Sequence, residues 1–265
     1  MPSQDQDRER ILECAKGLPL KQKVRFQNIP NFVSRWAEDF GGLEGKRVLD
    51  FGCGFGLSTA GISLLNSADL AVGVDIGSEA EACESFLSKN FNIQKLPSNL
   101  VFERIEPGQT TSYDEFDCIF SWSVFEHVNN RIYSDILSGL YSKLKKGGIF
   151  FVQISPLYFS PEGGHLWEIG YRHWEHLLNQ TSDVCHDIMS AENIAPSKKN
   201  ELWSMFQNLN RITSDELIAR FEESGFALTR ERRDSVNILP PKQLVTAYSR
   251  ESLTNTQIVA LFQKR

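Results

Sequence analysis

The chain has 265 residues, of which 41% are hydrophobic and 23% are charged, with 18 glycines and 10 prolines. This composition excludes a disordered or fibrous protein and suits one elaborated domain with a full core. The net charge of −6, without a dense lysine and arginine tract, counts against a nucleic acid or an anionic membrane as partner. We therefore expect a small-molecule or protein partner, with a homodimer as an open alternative.

The cysteines and the N-terminus indicate the compartment. The five cysteines are scattered and form no CxxC pair, which argues against a disulfide framework and against a thiolate zinc site. The polar start "MPSQDQDRER" lacks the apolar core of a signal peptide, and no apolar run approaches the about 20 residues of a membrane helix. The sequence predicts a cytoplasmic protein.

Residues 1–45 predict an N-terminal helical cap. The pattern favours helix from Asp7 to Phe40, interrupted near "GLPL" and "NIP", where glycine and proline break helices.

Residues 46–155 then alternate between short apolar runs and amphipathic segments. The predicted strands are "RVLDF", "LAVGVD", "LVFERI", "FDCIFSW" and "GIFFVQIS", and the predicted helices are "GLSTAGISLLNS", "SEAEACESFLSKNF" and "IYSDILSGLYSKL". Nearly continuous apolar strands that alternate with helices predict an α/β fold, doubly wound around a parallel sheet.

The second half interrupts this alternation. Residues 156–213 are rich in aromatic residues and histidines, and an excursion of this length predicts a lid or substrate insertion after the fifth strand. Residues 214–265 restore a helix, "SDELIARFEESGF", with Thr213 or Ser214 as its N-cap and Gly225 as its stop. Two closing strands follow, "FALTRERRD" and "QIVALFQKR", the last of which can run antiparallel. We expect residues 1–265 to form one domain.

The segment "VLDFGCGFG" predicts a ligand site, because ligands of open parallel sheets bind at the first turn from strand to helix. Leu57 stands where a dinucleotide fingerprint has its third glycine, and "GGLEGKR" precedes the strand and has no serine or threonine for magnesium. Asp50 would repel a pyrophosphate and suits a cationic ligand. Asp75 ends the next strand, where a carboxylate can accept hydrogen bonds from both ribose hydroxyls. The two acids indicate a positively charged nucleoside as the ligand. Alternatively, the three glycines form only a tight turn, and Asp75 only ends its strand.

Four segments, "VLDFGCGFG", "VGVDIG", "FDCIFSWSVFEHV" and "LKKGGIFFVQIS", resemble the successive motifs of class I S-adenosylmethionine-dependent methyltransferases. The resemblance covers residues 46–155. It implies a Rossmann-like fold with a seven-stranded, mostly parallel sheet whose last strand is reversed, and S-adenosylmethionine as cofactor. The residues that it places at the cofactor are Asp50, Phe51, Gly52, Cys53, Gly54, Gly56, Asp75, Ile76, Ser121 and Trp122.

The lid histidines are the candidates for catalysis. Transfer to a hydroxyl gains from a base within hydrogen-bond reach, and histidine suits this task at neutral pH. His165 and His176 are the leading bases, ahead of His173. If "YRHWEHLL" is helical, His173 and His176 lie on one side and point into one pocket. Three other interpretations of these histidines are possible: packing within the lid, a surface position, and a divalent-metal site. We predict no metal, because the H-x2-H spacing lacks further ligands.

Four further residues are predicted to contact substrate: Trp167, Tyr171, Trp174 and Arg211. The aromatic residues can equally form the core of the lid, and the arginine can pair with a lid carboxylate instead of an anionic substrate group. In "FEHV", Glu126 can be an acid at a helix start and His127 a satisfied, partly buried histidine, or both can be functional. The sequence does not decide between these structural and functional interpretations.

The lid segments "GGHLW", "WEHLL" and "LNRIT" resemble those of bacterial methyltransferases that modify surface sugars or secondary metabolites. This resemblance implies methylation of a hydroxyl on a sugar or on an intermediate of natural-product biosynthesis. The alternatives are transfer to nitrogen or a carboxyl group, and a catalytically silent module that binds the cofactor and a protein. A nicotinamide oxidoreductase is disfavoured by Leu57 and Asp50.

Overall fold

The computed structural model describes residues 4–265, and the N-terminal part is helical, as predicted. It contains α1 (Gln4–Ala15), α2 (Leu20–Lys23), a π-helical turn (Val24–Asn28), α3 (Ile29–Trp36) and a short 3-10 turn (Glu38–Phe40). The break at "GLPL" is confirmed between α1 and α2. The break predicted at "NIP" is wrong: Pro30 lies in the first turn of α3, where its missing N–H costs little.

Seven strands form one sheet in the order β3-β2-β1-β4-β5-β7-β6. Their bounds are β1 (Arg47–Phe51), β2 (Leu70–Asp75), β3 (Leu100–Arg104), β4 (Phe116–Trp122), β5 (Leu144–Ile154), β6 (Phe226–Ser235) and β7 (Asn255–Lys264). β7 runs antiparallel to both of its neighbours, and the other pairs are parallel. The predicted fold class is confirmed. The strand order reverses between β1 and β4, so a crevice for a ligand lies outside their carboxyl ends.

The remaining helices cover the sheet or build the lid. They are α4 (Leu57–Leu65), α5 (Cys83–Phe91), α6 (Tyr133–Lys143), α7 (Glu175–Leu178), α8 (Thr181–Ser190), α9 (Pro196–Asn208), α10 (Ser214–Glu223), α11 (Lys242–Val245) and α12 (Arg250–Thr254). A 3-10 turn (Glu79–Ala82) begins the helical segment that ends with α5. The N-terminal helices, α4 and α5 share one apolar cluster, and α6 and α10 share the cluster on the other face. Successive side chains of β5 enter opposite clusters, because side chains alternate along a strand.

Residues 156–213 follow β5 and carry a 3-10 turn (Trp167–Ile169) and α7 to α9. Apolar residues of this segment form a small cluster of their own, which includes Val184, Ile188 and Phe206. Residues 171–178 do not form one helix, which was the condition for placing His173 and His176 on one side, because Trp174 has a φ of 63° and only residues 175–178 are helical. A left-handed residue interrupts a right-handed helix.

The C-terminal helix α10 begins and ends as predicted. Thr213 is its N-cap and forms a capping box with Glu216, and Gly225 follows the helix with a φ of 94°. Within residues 4–265, no helix combines the length and the apolar character needed to cross a membrane.

Candidate active site

The turn between β1 and α4 contains three glycines with left-handed backbone: φ is 83° at Gly52, 51° at Gly54 and 70° at Gly56. A Cβ on Gly52 would lie 2.3 Å from a methyl carbon of Val124, and a Cβ on Gly56 would lie 2.5 Å from the ring of Phe102. A Cβ on Gly54 would meet no atom within 4 Å. Neighbouring side chains of the protein therefore require two of the glycines, and only Gly54 borders open space.

Asp75 ties the glycine turn to the end of β2. Its Oδ2 accepts a hydrogen bond from the backbone N–H of Gly54 at 2.8 Å, and its Oδ1 accepts one from the N–H of Gly77 at 3.0 Å. Two large apolar side chains beside this carboxylate are exposed, Phe55 at 54% and Ile76 at 58%. A fixed carboxylate next to exposed apolar side chains suits a ligand that has hydroxyl groups as well as a flat apolar ring.

Asp50 lies beneath the turn and is only 3% exposed. Its Oδ2 accepts a hydrogen bond from the hydroxyl of Thr59 at 2.7 Å, which ties β1 to the first turn of α4. Burial raises the pKa of Asp50 to about 7, the Thr59 hydrogen bond opposes this, and the charge of Asp75 adds to it. The carboxyl group therefore supports the turn from inside.

Other residues predicted at the cofactor also form this support. The hydroxyl of Ser121 donates to the carbonyl of Phe51 at 2.8 Å and joins β4 to β1. Trp122 is partly buried, with its ring 5.7 Å from that of Phe32. Burial raises the pKa of Cys53, so its thiol stays protonated, in agreement with a packing role in the turn.

We predict that Gly52→Ala lowers the free energy of unfolding by about 2–4 kcal/mol, because the new Cβ overpacks against Val124 in a left-handed backbone. The matched control is Gly54→Ala, which has the same backbone cost without the clash. Urea unfolding measures both. The double variant Gly52→Ala/Val124→Ala should regain part of the loss, and equal stability of the two single variants would contradict the assignment.

Three titratable side chains meet beyond the carboxyl end of β4. Candidate ligand atoms of Glu126, His127 and His165 all lie within 4.8 Å of one another, and the rings of the two histidines are 5.2 Å apart. Burial raises the pKa of Glu126 to about 8 and lowers the pKa of His127. Burial, followed by the nearby His127, lowers the pKa of His165 to about 4. Both imidazoles are therefore neutral at pH 7, and each keeps a nitrogen lone pair that can accept a hydrogen bond or bind a cation. We call this group the Glu-His-His cluster.

A tight turn and one asparagine position the first two members of the cluster. The N–H of His127 donates to the carbonyl of Val124 at 2.8 Å, which closes a turn over the glycine segment. Asn210 donates from its side chain to the carbonyls of Phe125 and Val128, and its backbone N–H donates to the carbonyl of Glu126. The end of the lid therefore holds this turn in place.

The two other histidines predicted as bases do not join this cluster. His176 is buried, and its Nε2 lies 2.7 Å from the carbonyl of Tyr158. His173 is half exposed, with its Nε2 3.9 Å from a carboxylate oxygen of Glu162. The prediction that His173 and His176 point into one pocket is wrong, because the left-handed residue Trp174 redirects the chain between them.

His176 should make the protein sensitive to acid. Burial lowers its pKa from 6.5 to about 4 in the folded state. A histidine whose pKa is depressed by folding stabilises the protein above the unfolded pKa, and this contribution is lost as the pH falls from about 6.5 towards 4. We predict that, between pH 7 and pH 5, the wild type loses about 2 kcal/mol more unfolding free energy than His176→Gln. Glutamine can still donate to the Tyr158 carbonyl. Urea unfolding at both pH values checks this, and equal losses would contradict it.

The structure separates the residues predicted to contact substrate. Trp174 is 2% exposed, and its indole N–H is shared between the carbonyls of Phe159 and Leu253. The hydroxyl of Tyr171 donates to Asp187 at 2.8 Å inside the lid. A substrate role for Trp174 therefore does not fit its position, and the Tyr171 hydroxyl is engaged within the lid.

Trp167 and Arg211 remain accessible. Trp167 is 53% exposed, and its ring lies 5.5 Å from that of His165. Arg211 is exposed, with its guanidinium 5.1 Å from the ring centroid of Tyr158. Within the part of the chain that the structure describes, no carboxylate pairs with Arg211. The pairing with a lid carboxylate that the sequence left open is therefore not formed.

A cleft of about 440 Å³ is separated from the Glu-His-His cluster by residues that contact His165. Its walls include Pro156, Ser160, Glu162, Trp167 and His173. Pro156 and Trp167 both contact His165, the former through a hydrogen bond from the imidazole to its carbonyl. The hydroxyl of Ser160 is buried and has no partner. The cleft thus offers an aromatic face and polar groups to a small molecule.

Comparisons with known proteins agree with this architecture. The methyltransferase domain family matches residues 22–231. The mitochondrial ubiquinone biosynthesis O-methyltransferase of Dictyostelium discoideum is 32% identical over 152 residues, which cover 51% of this chain and 46% of that protein. The chain therefore matches about half the length of this curated relative.

Two solved structures share the fold. An S-adenosylmethionine-dependent methyltransferase from Mesorhizobium loti has a TM-score of 0.50 at 15% identity, covering 84% of this chain and 92% of that chain. Magnesium protoporphyrin IX methyltransferase from Synechocystis PCC 6803, solved with bound SAH, has a TM-score of 0.50 at 16% identity. The match covers 99% of this chain and 95% of that chain. At these identities the likeness shows the fold alone.

The residues present fit S-adenosylmethionine, the cofactor that the family implies. The open space at Gly54, the fixed carboxylate of Asp75 and the exposed side chain of Ile76 suit an adenine nucleoside. The family match covers well over half of the chain. The chain therefore belongs to the methyltransferase domain family, as an S-adenosylmethionine-dependent member.

Proposed function

We propose that the protein transfers a methyl group from S-adenosylmethionine to a hydroxyl group of a small molecule, a sugar or a secondary-metabolite intermediate. The observation that carries this proposal is the Glu-His-His cluster, which lies beyond β4, next to the strand whose turn borders the cofactor site. A hydroxyl must lose its proton to become a good nucleophile, whereas an unprotonated amine needs no base. Two neutral imidazoles at this place favour the hydroxyl.

The cofactor residues have distinct roles in the proposal. Asp75 binds the ribose hydroxyls, Ile76 covers the adenine, and the open space at Gly54 admits the rest of the cofactor. Asp50 and Ser121 hold the turn from beneath and need not touch the ligand. The bound cofactor supplies a methyl group on a sulfonium, and the protein aligns the acceptor with it.

The acceptor class follows from the cleft. Trp167 offers an exposed aromatic face, and the Glu162 carboxylate offers a hydrogen-bond acceptor. Flat or ring-shaped molecules with several hydroxyl groups combine these two kinds of contact. The Dictyostelium relative is named as an O-methyltransferase, which supports oxygen as the acceptor atom. His165 is the central member of the cluster in this proposal, because it links the cluster to the cleft.

The test uses cofactor with an isotopically labelled methyl group and matched sets of acceptors. One set contains glycosides and phenols, and the other contains amines and carboxylic acids of similar size. We expect label to enter the hydroxyl compounds, as detected by mass spectrometry together with the release of S-adenosylhomocysteine. Transfer only to amines or carboxylates would overturn the assignment to oxygen. Cofactor binding by calorimetry, without transfer to either set, would favour a silent binding module.

A further inference from the structure

We propose that Glu126, His127 and His165 bind one divalent transition-metal ion, and that this ion binds the oxygen of the acceptor hydroxyl. The inference rests on the proposed function, because it says how the Glu-His-His cluster activates the hydroxyl. It differs from the H-x2-H spacing in the lid, whose two histidines the structure separates.

The donor set suits a catalytic metal. Two imidazole nitrogens and one carboxylate oxygen come together within 4.8 Å of one another. Two histidines and one glutamate are a ligand set of catalytic zinc sites, in which the fourth position is left for water or substrate. Related sets with two histidines and one carboxylate bind other divalent transition metals. Nitrogen and oxygen ligands lie about 2.0–2.2 Å from zinc, so the three side chains would close on the ion when it binds.

The buried polar atoms of the cluster have no partners. Both carboxylate oxygens of Glu126 and the Nε2 of His165 are buried without a hydrogen bond, and Glu126 is only 4% exposed. Unpaired polar atoms inside a protein are costly, whether the Glu126 side chain is neutral or charged. A cation between these three atoms would satisfy all of them at once.

Neighbouring backbone and side-chain groups orient the proposed ligands through hydrogen bonds, as groups around the ligands do in known metal sites. The ring of His165 donates to the carbonyl of Pro156, which leaves its Nε2 as the free nitrogen. Ligating histidines commonly donate their other N–H to a backbone carbonyl in this way. Asn210 fixes the turn that carries Glu126 and His127 through three backbone contacts.

The cleft lies one residue away from the proposed ion. Trp167 and Pro156 line the cleft and also contact His165, whose Nε2 is buried behind them. In this proposal the acceptor hydroxyl approaches the fourth position of the metal from this cleft. When the hydroxyl binds, its O–H bond breaks, the proton passes to water, and the oxygen keeps the electron pair as a metal-bound alkoxide. The S–CH₃ bond then breaks as the O–CH₃ bond forms, and the pair from that bond stays on sulfur to give the thioether.

Metal binding can be measured without acceptor or cofactor. The full-length protein is stripped with a chelator, dialysed, and titrated with Zn²⁺ by calorimetry; Co²⁺ is used as an optical probe. We expect one ion per chain, with a Co²⁺ spectrum that indicates nitrogen and oxygen ligands. Glu126→Gln and His165→Asn should each weaken Zn²⁺ binding by 100-fold or more.

The matched control is His186→Asn, which removes an exposed histidine from α8 and should leave the affinity unchanged. Thermal unfolding without metal tells loss of the site from loss of the fold, and Glu126→Asp should retain part of the affinity. No bound ion in the folded wild type, or equal binding by wild type, Glu126→Gln and His165→Asn, would overturn the proposal.

A second measurement separates this proposal from the proposed function. Transfer to a hydroxyl that persists in chelated, metal-free protein would overturn the metal role and leave the methyltransferase function intact. One bound ion that depends on Glu126 and His165, with methyl transfer only to amines or carboxylates, would support the metal site and overturn the function.

Discussion

Replacing His165 with alanine should lower the turnover for methyl transfer to a hydroxyl by about 10²–10⁴-fold, the range associated with loss of a group that activates an acceptor. The affinity for S-adenosylmethionine should change little, because the residues assigned to the cofactor lie on the turns after β1 and β2. The reason is geometric: His165 joins Glu126 and His127 to Trp167 and the cleft. Steady-state kinetics and calorimetry on the same preparation measure the two quantities.

The matched control for this variant is His186→Ala, on the exposed face of α8. It should keep the turnover and the stability of the wild type. His176→Gln should also keep most of the turnover, because His176 is buried against the Tyr158 carbonyl and does not join the Glu-His-His cluster. Unchanged turnover in His165→Ala would remove His165 from the reaction.

The second large effect is expected at the cofactor. Asp75→Asn should weaken S-adenosylmethionine binding by about 10–150-fold, the loss expected for hydrogen bonds to a charged group. The neutral amide loses charge-assisted bonds to the ribose hydroxyls and also loosens the bonds that Asp75 accepts from Gly54 and Gly77. Calorimetric titration with S-adenosylhomocysteine measures this effect without turnover.

Asp69→Asn is the control, because it removes the same charge from an exposed position just before the amino end of β2. Its cofactor affinity should equal that of the wild type. Equal affinities for Asp75→Asn and the wild type would contradict the ribose contact, and the site of the nucleoside would have to lie elsewhere.

The sequence predicts the central strands of the sheet well, because they are buried on both faces. The segments "RVLDF", "LAVGVD" and "FDCIFSW" match β1, β2 and β4 to the residue. Such apolar runs between glycine turns and amphipathic helices leave little choice of structure. The break expected at "NIP" failed for a local reason, since proline is tolerated in a first helical turn.

The lid was harder to predict, because distant contacts override local preference there. A shared pocket for His173 and His176 required a helix over residues 171–178, but the indole of Trp174 donates to the carbonyls of Phe159 and Leu253, 15 and 79 residues away. Burying this side chain with its N–H satisfied outweighs the cost of a left-handed backbone at one residue. No window of local sequence contains those partners.

The candidate site divides in the same way. The sequence alone determined the fold class, the family resemblance and the acids at the ends of β1 and β2, since each depends on residues close together in the chain. Only the tertiary structure brought His165, rather than His173 or His176, close to Glu126 and His127, the two residues of "FEHV" whose role the sequence left open. It also showed that Gly52 and Gly56 make room for Val124 and Phe102. Spacing along a helix or strand can be read from the sequence, but the meeting of a loop after β5 with a turn after β4 depends on packing across the whole sheet.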